Sequence, residues 1–120
     1  MTDTMTKSGN LVSSTDVNGE EVYSQTGEHI GTIDHLMIDK ESGNVAYAEM
    51  HFGGFLGIGE DSYPIPWKKL HYDPSKPGFV TDLTERQVKG APERRDDWYL
   101  DRDYEERVHR HYGVTNPYWY

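Results

Sequence analysis

The run from Asn44 to Trp67 constrains the fold more than any other part of this chain: NVAYAEMHF, then GGFLGIGEDS, then YPIPW. From Val45 to Phe52 the residues alternate, with Ala46, Ala48, Met50 and Phe52 on one side and Val45, Tyr47, Glu49 and His51 on the other. That period of two is a strand, and the first set is expected to face a core. The loop that follows carries Gly53, Gly54, Gly57 and Gly59. Pro64 and Pro66 then lack the N–H that a central strand must donate, so the segment Tyr63 to Trp67 is expected at a sheet edge or at a break.

The flanking segments read in the same way. Residues 1 to 10 are too polar to bury apolar area and are expected to fray. Leu11 and Val12 predict a short extended piece, DVNGE (Asp16 to Glu20) a turn with Asn18 and Gly19 at positive φ, and Val22-Tyr23 the start of a strand. After Gly27, the segment His29 to Asp39 places Ile30, Ile33, Leu36, Met37 and Ile38 on both parities, which predicts a bulge or bend near Asp34-His35. DKESG (Asp39 to Gly43) reverses the chain. Leu70 to Tyr72 and Phe79 to Leu83 predict two further strands about the turn DPSKPG. Thr84 and Gln87 form a capping box for a short helix, with Gly90 as a left-handed stop before Pro92.

From Glu93 the composition shifts to acidic residues, Arg and aromatics. Leu100, Tyr104, Val108 and Tyr112 recur at helical spacing, Asp101 is placed to cap, and Gly113 is placed to stop the helix. The expected organisation is a flexible N-terminus over 1–10, a β domain over 11–92 and a C-terminal amphipathic helical extension over 93–120.

Composition narrows the function. At 120 residues the chain has room for one core, and a hydrophobic share of 34% with mean hydropathy −0.87 makes that core thin. A net charge of −9 leaves no surplus of Lys and Arg to displace counterions from a phosphate backbone, so direct nucleic-acid binding is not expected. With no Cys, disulfides and thiolate sites are excluded. MTDTMTKSGN has no apolar stretch of the secretory kind and no segment approaches the ~20 apolar residues of a membrane helix, so a soluble, cytoplasmic chain without membrane insertion is expected.

These residues together resemble the PRC-barrel family, the small β-barrel named after the H subunit of photosynthetic reaction centres. The resemblance rests on Gly27-Glu28, Ile30-Gly31, Ile33, Asp39, Gly43, Ala46-Tyr47, the run Phe52 to Gly59, Pro64, Pro66-Trp67, Leu70 and Tyr72-Asp73, and it covers Leu11 to about Pro92. Asp97-Trp98, Tyr112-Gly113 and Pro117-Tyr118-Trp119 are similar to the extension of free-standing bacterial members. The resemblance implies a mainly β fold, a small, strongly bent antiparallel barrel with a short helix and the C-terminal helical extension. It also implies a non-catalytic assembly module. Such barrels serve in a reaction-centre subunit, in a ribosome maturation factor that binds a ribosomal protein, and as stand-alone proteins.

Residue chemistry agrees with a non-enzyme. The glycine loop lacks the Gly-Lys-Ser/Thr of a phosphate cradle, since Glu60 and Asp61 follow Gly59. His29, His35, His51 and His71 sit on different segments and His109 and His111 point to different sides of a helix, so no metal or other cofactor is expected. Asp34, His35, Asp39 and Ser42 contain the groups of a hydrolase, but no spacing brings them together. Trp67 is expected to plug the core or the barrel end. Phe55, Leu56 and Ile58 either tuck under the barrel or form a contact patch. Trp98, Tyr99, Tyr104, Tyr112, Tyr118, Trp119 and Tyr120 follow a barrel with little outer skin to cover them, so these rings are expected to pack on a second protomer and close a homo-oligomer, the alternative being a tail folded back on its own barrel. The expected function is a self-associating interaction module. An accessory factor for ribosome or RNA processing acting through a protein partner is the first alternative, and a small hydrolase or metal-dependent enzyme the least favoured one.

Overall fold

A computed structural model describes residues 9–52, 62–76 and 78–119. In chain order the elements are helix α1 (Ser14–Val17), strands β1 (Glu21–Ser24), β2 (His29–Ile38), β3 (Val45–His51) and β4 (Ser62–Pro66), a 3-10 turn (Trp67–Lys69), β5 (Leu70–Tyr72), β6 (Phe79–Thr81), α2 (Glu85–Lys89), a second 3-10 turn (Trp98–Leu100) and α3 (Arg102–His111). The six strands form one sheet in the order β4-β3-β2-β1-β6-β5. Neighbours are antiparallel except β1 and β6, which run parallel.

This order forces the sheet to curl. β4 and β5 are its two edges, yet only Trp67–Lys69 joins them. Strands lie ~4.8 Å apart, so a flat sheet of this order would hold its edges ~24 Å apart. The four steps from Pro66 to Leu70 reach at most ~14 Å. The sheet therefore bends into a half-barrel, and the bend is concentrated where the ladder slips. β2 shifts register against β3 between Ile33 and His35 and again between Met37 and Ile38, and β1 slips against β2 between Val22 and Tyr23. The first of these is the bulge that mixed parity predicts. Two glycines allow the close approach that follows. A Cβ on Gly31 would lie 2.4 Å from the His51 carbonyl oxygen, and one on Gly78 would lie 2.3 Å from that of Glu21.

Inside the curl, Val22, Ile33, Ala48, Met50, Phe52 and Ile65 are fully buried. β4 is an edge strand, as its two prolines require. Trp67 is partly buried at the turn that joins the edges, its ring edge-on to Phe79 at 5.4 Å.

Four local expectations are corrected. Leu11 is 98% exposed and Val12 is exposed outside any strand; the chain instead forms α1, capped by the Ser13 hydroxyl, and only Val17 reaches the core. Gly19 has positive φ (84°), but Asn18 does not, being extended at the helix end. Thr84 and Gln87 make the capping box, yet Gly90 has φ −88° and the helix ends without a left-handed residue, its N–H bonded to Arg86 and Val88 carbonyls. Leu100 does not join the stripe of α3: it precedes the Asp101 cap, in the 3-10 turn, and is 75% exposed.

The larger correction concerns β3. Its inner set is buried as predicted, but Tyr47 and Glu49 on the other side are buried too. The extension lies over that outer face, and Trp98, Tyr104, Val108 and Tyr112 belong to the same core as the barrel residues. Lys68 donates to the Asn116 carbonyl, and His111 Nε2 donates to the Gln87 carbonyl at 2.6 Å, tying the extension to the barrel end and to α2.

Candidate functional site

The outer residues of β3 carry a polar seam, because a strand projects every second side chain to the same face. Each of Tyr47, Glu49 and His51 meets a different set of partners.

At the Tyr47 end, a buried carboxylate from α3 is the hub. Tyr47 donates to Glu105 Oε1 at 2.8 Å, Tyr118 donates to the same oxygen at 2.6 Å, and Arg102 Nε donates to Oε2 at 3.3 Å. Burial, with the Glu105 charge beside it, raises the Tyr47 phenol far above its ordinary value, and burial together with the Glu105 hydrogen bond pushes Tyr118 up to about 12. Both phenols therefore stay protonated and remain donors. His109 Nδ1 donates to the Glu105 carbonyl at 2.8 Å, and burial lowers the imidazole below its ordinary range, favouring the neutral ring. Trp119 packs edge-on to His109 at 5.0 Å, with the Arg102 guanidinium over the Trp119 ring at 4.1 Å.

In the middle, Glu49 is almost wholly buried and its two oxygens are divided. Trp98 Nε1 donates to Oε1 at 2.6 Å with Arg94 Nε at 3.7 Å from the same atom, while His35 Nε2 lies 2.9 Å from Oε2. The other nitrogen of His35 is 3.2 Å from Asp34 Oδ2. At the far end, His51 Nε2 lies 3.6 Å from Asp34 Oδ1 and 3.4 Å from Ser62 Oγ.

A cleft of about 750 Å³ opens over the Tyr47 end. The β2–β3 hairpin, Met37 to Ser42, forms one wall, and Trp98 to Leu100 with Arg102, Tyr118 and Trp119 form the other. Ile38 (54% exposed), Tyr99 (51%) and Leu100 (75%) line it. The hairpin wall is rigidified by Asp39, which accepts from the Ser42 hydroxyl at 2.7 Å and from the Glu41 N–H; the Ser42 bond holds the Asp39 carboxyl below its usual range.

This arrangement decides between several chemistries. Ser62, His51 and Asp34 have the residue types of a nucleophilic relay, but serine and aspartate both approach Nε2 of the imidazole. A relay needs the carboxylate on the opposite ring nitrogen, where it would hold the tautomer that accepts the serine proton. Ser62 instead donates to Asp34 Oδ2 at 3.3 Å. Asp39 and Ser42 are occupied in the hairpin turn, four residues and ~13 Å of strand beyond His35. His35 does meet a ligand type that its own segment does not supply: the β2–β3 register sets it opposite Glu49, and the ligand atoms of Asp34, His35 and Glu49 lie within 4.8 Å of one another.

The residues singled out as contacts divide three ways. Phe55, Leu56, Ile58 and the last tail ring, Tyr120, lie outside the described residues. Trp98, Tyr104 and Tyr112 are buried in the chain's own core, with Trp98 edge-on to Tyr47 at 4.9 Å and the Tyr104 hydroxyl donating to the Pro92 carbonyl at 3.3 Å. The barrel's outer face and α3 cover these three rings without a second protomer, because β3 offers its Tyr47 and Glu49 side as a second packing face. Tyr99, Tyr118 and Trp119 line the cleft. Glu49, Glu105, His109, Arg94 and Arg102 escaped the sequence reading. Their only signals were the outward parity of Tyr47, Glu49 and His51 and the i, i+4 spacing of Glu105 and His109 on the Tyr104 face.

Among the described residues, no helix is long and apolar enough to cross a membrane. In comparisons with known proteins, the family model for the PRC-barrel domain matches residues 9–88, two thirds of the chain. No curated protein matches it.

Proposed function

The chain belongs to the PRC-barrel family, and from that premise we propose that it is a non-enzymatic interaction module that self-associates through the face bearing the cleft. The observation that carries this reading is the convergence of Ile38, Tyr99 and Leu100, all more than half exposed, on the walls of one cleft. Large apolar side chains scattered singly need no explanation, but three lining one concavity give a partner a place to bury area. Tyr118 and Trp119 supply the aromatic surface that interfaces use as anchors, and Arg102 supplies a planar cation beside them. The rings buried beneath stiffen this wall and contribute no contact area of their own.

Sedimentation equilibrium across a wide concentration range tests the proposal. The expected result is an oligomer for the native chain and a monomer for the double variant Ile38→Glu, Leu100→Glu, with circular dichroism unchanged because both positions are exposed. A native chain that is monomeric throughout overturns self-association.

The net charge of −9 favours a second occupant, since two identical acidic chains repel while a basic protein is attracted. This is the reading as an accessory factor acting through a protein partner. Capture of a basic partner at low salt, its loss as salt rises, and its failure with the same double variant would select this reading over self-association.

A further inference from the structure

We propose that Asp34, His35 and Glu49 form a site for a divalent transition-metal cation of the zinc class, on the outer face of the β2–β3 pair. This inference does not depend on how the cleft is used.

The bulge builds the site. In a regular strand, adjacent residues point to opposite faces, so Asp34 and His35 would be separated by the sheet. Between Ile33, opposite Met50, and His35, opposite Glu49, β2 carries Asp34 with no residue opposite it. Both side chains then reach outward-facing residues of β3, His35 to Glu49 and Asp34 to His51. Bulges re-aim side chains in this way beside functional sites.

The donors lie close enough to gather on one cation. Zinc bonds of ~2.0–2.1 Å at tetrahedral angles place neighbouring donor atoms ~3.3 Å apart. Asp34, His35 and Glu49 each offer one donor atom within 4.8 Å of the other two, with His35 Nε2 2.9 Å from Glu49 Oε2, so a small closing movement of the Asp34 carboxylate brings the three to that spacing. One imidazole nitrogen with two carboxylate oxygens is a donor set that suits zinc better than magnesium or calcium, which prefer oxygen alone. A water would complete four-coordination.

Glu49 is held ready for the role. Its carboxylate is buried and fixed through Oε1 by the Trp98 indole at 2.6 Å and by Arg94 at 3.7 Å, which leaves Oε2 on the His35 side. Such outer partners orient a ligating carboxylate and limit its motion. Asp34 and His35 are themselves roughly half exposed, so they can close on a cation without disturbing the core. A bound ion would link β2 to β3 and, through Glu49 and Trp98, to the extension.

The test uses the full-length, untagged chain stripped with chelator and titrated with zinc chloride by calorimetry, together with thermal unfolding in zinc and in magnesium. The expected result is uptake of one equivalent and a higher melting temperature in zinc but not in magnesium. His35→Ala and, separately, Asp34→Asn should each weaken zinc binding at least about tenfold, while His71→Ala on the solvent side of β5 should leave it unchanged. If His35→Ala fails to fold by circular dichroism, Asp34→Asn alone decides. Absence of saturable uptake, or equal affinity in the folded variants, overturns the site and leaves a histidine bridging two carboxylates as an ion pair only.

Discussion

The Trp98 indole donates to the Glu49 carboxylate at 2.6 Å across 49 residues of sequence, and this bond fastens the extension to the outer face of the barrel. Both partners are almost fully buried, so neither can exchange the other for water. An unmet buried carboxylate is costly, whereas the indole N–H is a donor with no other task.

Trp98→Phe should therefore keep most of the ring packing against Tyr47 and lose the bond. The expected cost is about 1–3 kcal/mol, the penalty for leaving a buried acceptor short of a donor. Urea unfolding checks it, as a lower midpoint at constant slope. A change within about 0.5 kcal/mol, typical of surface substitutions, would show that the indole N–H does not hold the extension.

Stability should fall in alkali. Burial pushes the phenols of Tyr104 and Tyr118 up to about 12, and raises Tyr47 and Tyr112 in the same direction. An unfolded tyrosine titrates near ~10. With the folded values above the unfolded one, the stabilisation is complete below pH ~10 and is lost as pH climbs through ~12. Urea midpoints measured across this window should drop, and Tyr118→Phe should drop less steeply than the native chain, whatever its starting stability. Parallel profiles would place the alkaline loss elsewhere.

Gly31→Ala places a Cβ 2.4 Å from the His51 carbonyl oxygen, a backbone atom that cannot swing aside. The strands must separate where β2 begins to bend. Destabilisation at or above the ~1–3 kcal/mol of ordinary overpacking is expected, measured by thermal unfolding. Gly43→Ala, where a Cβ would meet open space but φ is +82°, is the comparison that isolates steric crowding from backbone conformation.

Asp101→Ala removes the acceptor for the Tyr104 N–H at the start of α3. A lost cap of this kind costs about 0.5–2 kcal/mol. Because α3 carries Glu105 and His109 to the barrel, hydrogen exchange of its first-turn amides should speed up while that of β2 and β3 amides stays slow. Uniform acceleration throughout would mean that barrel and extension open as one unit.

Much of the barrel was legible because its signals are short-range. The alternation from Ala46 to Phe52, the prolines of the edge strand, the mixed parity that marks the bulge at Asp34 and the Thr84–Gln87 capping box each involve residues within one element. Where local options compete the signal is weaker: Leu11 and Val12 suggest a strand, but the Ser13 hydroxyl captures the start of a helix there.

The candidate site was far less legible. Alternation identifies Tyr47, Glu49 and His51 as one face of a strand, but a half-exposed strand and one covered by a later segment have the same pattern. A barrel with one packing face offers little cover for the rings after Pro92, and Trp98, Tyr104 and Tyr112 are instead covered between the extension and the outer side of β3, a second face that alternation alone does not reveal.

By itself the sequence determined most strands, their bends, the N-terminal caps of α2 and α3 and membership of a barrel family, all of which depend on residues close along the chain or on a matching pattern. Only the tertiary structure decided that Glu49 meets Trp98, that Tyr47 meets Glu105 58 residues on, and that Asp34 and His35 stand beside Glu49. Those meetings follow from a one-residue slip in register and from where a distant helix docks, and both are chosen by the packing of the whole chain.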